Sequence, residues 1–151
     1  MKAVIQRVKR ASVSIENSVF SEINAGLLVL LGVEDGDTEK DCTYMVDKIT
    51  AMRIFSDENG KFNYSVKDID GEMLVVSQFT LLADTRKGNR PSFTQAAHPD
   101  IAKPMYELFC EKAHFSIGKE IKCGVFGADM LVSLENEGPV TIMLDSSQSN
   151  R

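Results

Sequence analysis

Residues 72–82 read Glu-Met-Leu-Val-Val-Ser-Gln-Phe-Thr-Leu-Leu, and the rest of the chain can be placed around this stretch. The apolar run 73–76 follows the turn signal Asp70-Gly71, which predicts a strand buried in the core. The next four residues, 77–80, place three polar side chains around one phenylalanine. Polar groups at the end of a buried strand need hydrogen-bond partners. They therefore indicate either a functional site or an ordinary half-buried strand whose polar side chains alternate towards solvent.

The composition is typical of a globular protein. The chain has 151 residues, of which 43% are hydrophobic and 26% charged, so we expect one domain spanning residues 1–151. No apolar run approaches the roughly 20 residues of a membrane helix. The first apolar stretch contains a charge and an amide, unlike a signal peptide. The three cysteines are widely spaced without a Cys-x-x-Cys pair, which is typical of reduced thiols, and we expect a cytoplasmic protein with no membrane partner.

The net charge of −5 argues against a protein that coats nucleic acid without sequence preference. Basic residues nevertheless cluster twice. One cluster lies near the start of the chain, and the other follows soon after residues 77–80. The second cluster and the polar strand end could therefore line one site. Solvated surface charge is the alternative explanation for both. The clusters are Arg7, Lys9 and Arg10, and Arg86, Lys87 and Arg90.

Alternating hydrophobic patterns predict a chain rich in strands. In the first and longest strand the apolar positions change phase, which indicates a bulge near Lys9-Arg10. The run 27–33 is almost entirely apolar and predicts a central strand buried on both faces. The strand that begins at residue 73 carries the polar residues 77–80. The other predicted strands are 2–16, 19–23, 121–126, 130–135 and 140–145, before a frayed polar tail at 146–151.

Two helices are predicted. The first begins after Asp37 or Thr38 and carries a one-sided apolar stripe that indicates core packing. The second is expected to be regular from close to Pro104, because proline is disfavoured deep inside a helix. Between the polar strand end and this helix lies the irregular segment 83–99, and a loop of that length is typical of a functional or mobile region.

Catalytic motifs identified by residue type are missing from the sequence. It contains no Gly-x-Ser-x-Gly elbow, no phosphate loop and no metal-ligand spacing of cysteine and histidine. His98 and His114 are more typical of structural or exposed histidines than of catalytic bases. Gly138-Pro139 is first a turn signal, and it is also a bond at which a cis peptide is tolerated. If the protein is an enzyme, backbone groups or the substrate itself must carry the chemistry.

Two ordered motifs resemble the D-aminoacyl-tRNA deacylase family. These motifs are Ser77-Gln78-Phe79-Thr80-Leu81 and Gly138-Pro139-Val140-Thr141. The start of the chain, residues 1–8, and the loop 87–93 are also similar to that family, so the resemblance covers essentially the whole chain. Two motifs in this order and at this separation are more specific than either motif alone.

The resemblance implies a homodimeric hydrolase, with no metal or other cofactor, that cleaves the ester between a D-amino acid and the 3′-terminal ribose of tRNA. Glycyl-tRNA is a further candidate substrate. A cis Gly-Pro element of one subunit would enter the site of the other, hold the α-amino group through its carbonyl oxygens and exclude L-amino acids by clash. The implied residues are Ser77, Gln78, Phe79 and Thr80 for catalysis; Gly138, Pro139, Arg7 and Met130 for substrate binding and chiral selection; and Arg86, Lys87, Arg90 and Phe93 for tRNA binding.

Within this interpretation, the backbone N–H groups of Phe79 and Thr80 would stabilise the oxyanion. Thr80 is a candidate nucleophile by residue type, but no base stands near it in sequence, so we favour water attack assisted by the ribose 2′-hydroxyl. Two other classes stay open: a nucleic-acid-binding module that stacks bases on an exposed Phe93, and an unrelated esterase for small acyl esters. The expected fold is α+β, with mainly antiparallel sheets partly rolled into a barrel and two principal outer helices.

Overall fold

The computed structural model describes residues 1–150, and its sheet is built around the first strand, β1 (Lys2–Ile15). Strand β1 pairs antiparallel with β2 (Ser18–Ile23), β3 (Gly26–Gly32) and β8 (Leu131–Asp145). The turn between β1 and β2 has positive φ at both central residues, Glu16 and Asn17, as a tight hairpin requires. The register against β8 shifts between Val8 and Arg10, which confirms the bulge of β1 predicted near Lys9-Arg10.

Parallel pairing completes the sheet. Strand β6 (Glu72–Ser77) lies parallel to β3 and to β7 (Lys122–Cys123), giving the order β2-β1-β3-β6-β7, with β8 on the free side of β1. Ser21 Oγ donates to the carbonyl oxygen of Cys123 at 2.7 Å, which joins β2 to β7 and nearly closes the barrel. The predicted α+β barrel is confirmed, although the main strands form one mixed sheet. The second sheet contains β4 (Phe55–Ser56) and β5 (Phe62–Tyr64) alone.

Two helices, α1 (Glu39–Ala51) and α2 (Pro99–Ile117), cover one face of the sheet. Thr38 precedes α1, and its N–H donates to Asp41 Oδ2 at 2.9 Å. The prediction that α2 becomes regular near Pro104 is wrong, because the helix begins at Pro99. His98 Nδ1 accepts from the N–H of Asp100 at 3.3 Å, and proline at the first helical position loses no helical hydrogen bond.

The core has two parts, one on each face of the sheet. The part under the helices contains Ile5 and the apolar stripe of α1, which confirms that this stripe is core. The part enclosed by the barrel contains Val8 and the residues that follow the bulge. The phase change in β1 therefore switches its apolar side chains from the helical face to the barrel interior. The fully buried members of the enclosed part include Val8, Val13, Leu28 and Leu74.

The C-terminal region departs from the prediction in three places. The expected strands 130–135 and 140–145 are one strand, β8, and the expected strand 121–126 shortens to β7. The tail is not frayed at its start, because Ser146 is buried and its N–H donates to the carbonyl oxygen of Met1 at 2.9 Å. Arg151 lies outside the described residues. No helix within residues 1–150 has the length and apolar character needed to cross a membrane.

Candidate active site

The polar end of β6 leaves the sheet earlier than the sequence predicts. The N–H of Gln78 donates to the Leu31 carbonyl oxygen at 2.8 Å, and the chain then turns into a short 3₁₀ helix, Phe79–Leu82. The expectation that Phe79 and Thr80 continue the strand is therefore wrong. The turn buries Leu82 and leaves Phe79 58% exposed. The aromatic ring of Phe79 therefore lies at the surface and not in the core.

This turn presents two unpaired backbone donors. The first hydrogen bond of the 3₁₀ helix runs from the N–H of Leu81 to the Gln78 carbonyl oxygen at 3.2 Å. The N–H groups of Phe79 and Thr80 precede that bond, as the first N–H groups of any helix do, and within residues 1–150 neither has a protein partner. The side-chain amide of Gln78 donates to the Thr80 hydroxyl. The arrangement offers N–H donors for a developing negative charge, but no base for the hydroxyl.

The basic loop is anchored beside this turn. The rings of Phe79 and Phe93 meet edge to face, with centroids 5.1 Å apart. Phe93 is therefore half-buried, not exposed as the sequence suggests. Asp84 and Ser92 exchange backbone hydrogen bonds of 2.7 and 2.9 Å, which pinch the loop between them. The pinched loop carries three exposed basic residues, Arg86, Lys87 and Arg90.

One of these basic residues already has an acidic partner. Arg86 Nη2 lies 2.6 Å from Asp84 Oδ2, and its Nε donates to Asp84 Oδ1 at 2.9 Å. The hydrogen bonds from Arg86 lower the pKa of Asp84 to about 2. Arg86 is thereby oriented, whereas no ion pair of Lys87 or Arg90 is found within residues 1–150.

The Gly-Pro element is a bulge on β8. Gln6 of β1 faces Thr141 and Val8 faces Asn136, so the residues 137–140 stand opposite Arg7 alone. The Gly138-Pro139 peptide is cis, and Gly138 has a φ of 134°. Asn136 closes the bulge at its base: Oδ1 accepts from the N–H of Val140 at 2.7 Å, and Nδ2 donates to Thr141 Oγ1 at 2.9 Å.

Arg7 fixes this bulge to the rest of the chain. Its Nε donates to the Glu137 carbonyl oxygen at 2.9 Å, and its Nη1 donates to the Ile54 carbonyl oxygen at 2.8 Å. The guanidinium carbon lies 5.6 Å from the centre of the Phe62 ring. Arg7 is 8% exposed, and within residues 1–150 no carboxylate forms an ion pair with it. Its hydrogen bonds are thus directed to backbone carbonyls, as expected for a residue that holds a loop in place.

A single chain does not bring the two motifs together. The strand pairing aligns Ser77 of β6, through Leu31 of β3, with Ala3 of β1. The Gly-Pro bulge lies opposite Arg7 of β1, four residues further along that strand. Four residues of extended strand span roughly 13 Å, and three strand spacings of roughly 4.8 Å separate β6 from β8. The two motifs of one chain are therefore on the order of 15–20 Å apart, too far to contact one ester bond.

Three other candidates belong to neither motif. Met130 packs beside Gly124 against the enclosed core, which includes Val76 at the end of β6. Its role in substrate selection stays a prediction. His98 caps α2, and His114 Nδ1 lies 2.7 Å from the Lys119 carbonyl oxygen. Within residues 1–150 no cluster of histidine, cysteine and carboxylate side chains could hold a metal ion.

Two residues that contact the Gly-Pro bulge or Arg7 were not predicted as site residues: Asn136 and Phe62. Asparagine beside a Gly-Pro turn is itself a signal, since its side chain commonly bonds to nearby backbone. The contact of Phe62 with Arg7 has no local signal, because the two residues are far apart in sequence and meet through β5.

The chain is similar to known proteins along nearly its whole length. The family model described as D-Tyr-tRNA(Tyr) deacylase matches residues 4–145. Proteins named D-aminoacyl-tRNA deacylase from Flavobacterium johnsoniae and Parabacteroides distasonis are each 55% identical over 146 residues, which is 97% of both chains.

Two solved structures share the fold. One, titled c-Myc DNA unwinding element binding protein, has a TM-score of 0.90 and 45% identity, and the match covers 96% of this chain and 98% of that one. The other, titled as a probable eukaryotic D-amino acid tRNA deacylase, has a TM-score of 0.82 and 18% identity, and the match covers 95% of this chain and 97% of that one.

Proposed function

This chain belongs to the D-Tyr-tRNA(Tyr) deacylase family, and from that premise we propose that it hydrolyses the ester between a D-amino acid and the 3′-terminal ribose of tRNA. The products are the free D-amino acid and tRNA. The observation that carries the proposal is the pair of unpaired N–H groups at Phe79 and Thr80 on an exposed turn. Ester hydrolysis requires donors of this kind where negative charge develops on the carbonyl oxygen.

The chemistry proceeds without a side-chain nucleophile. Water attacks the ester carbon, the oxyanion accepts hydrogen bonds from Phe79 and Thr80 N–H, and the ribose oxygen leaves as a hydroxyl. The substrate's 2′-hydroxyl assists the attacking water, because the nearest polar group to Thr80 Oγ1 is the amide of Gln78, which is not a base. Thr80 and Gln78 then hold the turn in shape, with Ser77 at the end of β6.

A second copy of the chain supplies the selective element. Because the two motifs of one chain are on the order of 15–20 Å apart, the Gly138-Pro139 bulge serves the site of its partner in a homodimer. The carbonyl oxygens of Gly138 and Pro139 accept hydrogen bonds from the substrate's α-ammonium group, and an L-side chain would meet this backbone. Exclusion by clash tolerates many D-side chains, and it does not reject glycine, so glycyl-tRNA is also cleaved.

The tRNA lies along the basic loop. Lys87 and Arg90 are exposed and unpaired by acidic groups within residues 1–150, and Arg86 is oriented by Asp84. Such side chains contact phosphates and position the acceptor end without reading its sequence. Phe93 supports the turn through Phe79. The proposed location is the cytoplasm, where the bulk of aminoacyl-tRNA is used.

The proposal is tested by following amino-acid release from D-tyrosyl-tRNA and L-tyrosyl-tRNA side by side, with a chelator present. Rapid release from the D-ester alone is the expected result. Equal rates on both esters would overturn the chiral selection, and no release from either would overturn the activity.

The roles in the chemistry are separated by a second comparison. Thr80→Ala is expected to keep the rate within roughly tenfold, because the backbone N–H stays. A tRNA ending in 2′-deoxyadenosine is expected to lose the rate almost completely. The reverse pair of results would make Thr80 the nucleophile.

Nucleic-acid binding without catalysis is the second candidate, and the name of the 45% identical protein, c-Myc DNA unwinding element binding protein, favours it. The exposed basic loop would serve such a role as well. A salt-sensitive affinity for single-stranded DNA that matches the affinity for tRNA, with no ester hydrolysis, would support this alternative.

A further inference from the structure

Two cysteines lie next to each other outside the candidate active site. Cys110 on α2 and Cys123 on β7 have sulfur atoms 3.5 Å apart, and both side chains are partly accessible. The third cysteine, Cys42 on α1, is completely buried. The chain therefore has one close thiol pair and one isolated thiol that serves as an internal control.

The surroundings make the two thiols unequal. The hydrogen bond between the two thiols lowers the pKa of Cys123 to about 7, even though burial opposes this shift. The same interaction, together with burial, raises the pKa of Cys110. Burial raises the pKa of Cys42 to about 11. Since the thiolate is the reactive form of cysteine, this difference favours Cys123 over Cys110 as the first thiol to react.

We propose that Cys110 and Cys123 are a reversible oxidation site that closes to a disulfide when the protein meets hydrogen peroxide. The Cys123 thiolate attacks one peroxide oxygen, the O–O bond breaks, and a sulfenic acid and the first water form after proton uptake. The Cys110 sulfur then attacks the Cys123 sulfur, the S–S bond forms, and the hydroxyl leaves with the Cys110 proton as the second water. The two thiols lose two electrons, and the peroxide is reduced to water.

Closure needs little movement. The sulfur atoms must approach from 3.5 Å to about 2.05 Å. The bond would fasten α2 to β7, the short strand at the end of the sheet order. A cross-link over so short a loop restricts the unfolded chain, so the melting temperature is expected to rise by roughly 5–10 °C.

Counting free thiols tests the site on the intact protein. The reduced chain is treated with hydrogen peroxide, freed of oxidant, unfolded and alkylated with N-ethylmaleimide. Mass spectrometry is expected to show three alkyl groups before oxidation and one after it, on Cys42, with a cross-linked Cys110–Cys123 peptide. Dithiothreitol is expected to restore three groups and the original melting temperature.

Single-serine variants define the order of events. In Cys110→Ser, dimedone is expected to trap a sulfenic acid on Cys123, whereas Cys123→Ser is expected to trap far less on Cys110. Three remaining thiols in peroxide-treated protein would overturn the proposal, as would a disulfide between two chains on a non-reducing gel. These experiments measure thiol modification and melting temperature, so their results do not depend on the proposed deacylase activity.

Discussion

Arg7 Nε donates a hydrogen bond to the Glu137 carbonyl oxygen at 2.9 Å, across the widest bulge of the sheet. The same guanidinium binds the Ile54 carbonyl oxygen at 2.8 Å. This planar fork joins the Gly-Pro bulge to the segment that leads into β4. Lysine cannot reproduce it, because an ammonium group is a point donor on a flexible stem.

Arg7→Lys is therefore expected to lower the free energy of unfolding by about 2–4 kcal/mol, since buried carbonyl groups lose their donor. It is also expected to raise the rate on L-tyrosyl-tRNA relative to the D-ester. Urea unfolding and paired deacylation assays measure the two effects. Arg10→Lys is the matched control: Arg10 pairs with Glu135 at the surface and is 73% exposed, so a change within about 0.5 kcal/mol is expected.

Backbone donation at Phe79 is tested by removing its N–H. Proline is tolerated at the first helical position, so Phe79→Pro removes the donor while the turn can still form. The value of kcat is expected to fall roughly 10²–10³-fold. Phe79→Ala also removes the ring but keeps the N–H, and it is expected to change KM more than kcat. Similar kcat values for these two variants would rule out the oxyanion role.

Gly138 has little room for a side chain. A Cβ there would lie 2.8 Å from Val140 Cγ2 and 3.1 Å from Arg7 Nη2, at a φ of 134°. Gly138→Ala is expected to displace the bulge and reduce kcat/KM for D-tyrosyl-tRNA at least tenfold. Gly127→Ala is also strained by a positive φ, here 78°, but has no atom within 4 Å of the new Cβ. If Gly127→Ala keeps the wild-type kcat/KM for D-tyrosyl-tRNA, the loss in Gly138→Ala results from displacement of the bulge and not from backbone strain in general.

Asn136 allows a graded test of the same bulge. Asn136→Asp keeps the acceptor for the Val140 N–H but loses the donor to Thr141 Oγ1, and Asn136→Ala loses both. The ratio of L-ester to D-ester rates is expected to increase from wild type to Asp to Ala. An unchanged ratio in Asn136→Ala would show that Arg7 holds the bulge without help.

Local patterns were sufficient for much of the fold. The phase change in β1 and the apolar stripe of α1 arise within single elements, so hydrophobic periodicity predicts them. The continuity of β8 could not be predicted in this way. Gly138-Pro139 reads locally as a turn, and only pairing with β1 on both sides of Arg7 makes the segment one strand. That residues 1–151 form one domain stays a prediction.

The roles of the candidate site residues stay a prediction, and their geometry differs from what the sequence suggested. The motif residues 77–80 were expected on a strand, yet the turn after Ser77 depends on packing of Leu82 and Leu81 against Gly32, which is remote in sequence. The contact between Phe79 and Phe93 likewise could not be predicted from local sequence. The distance between the two motifs follows from strand order, which no short stretch of sequence encodes.

In the proposed dimer, each active site takes its N–H donors from one chain and its Gly-Pro bulge from the other. Two differently tagged chains, one carrying Phe79→Pro and the other Gly138→Ala, can be co-expressed and the mixed dimer purified through both tags. Each parent homodimer is expected to be nearly inactive on D-tyrosyl-tRNA. The mixed dimer holds one site with both parts intact, so we predict about half the wild-type rate. A mixed dimer as inactive as its parents would show that each site is built within one chain, which would contradict this account.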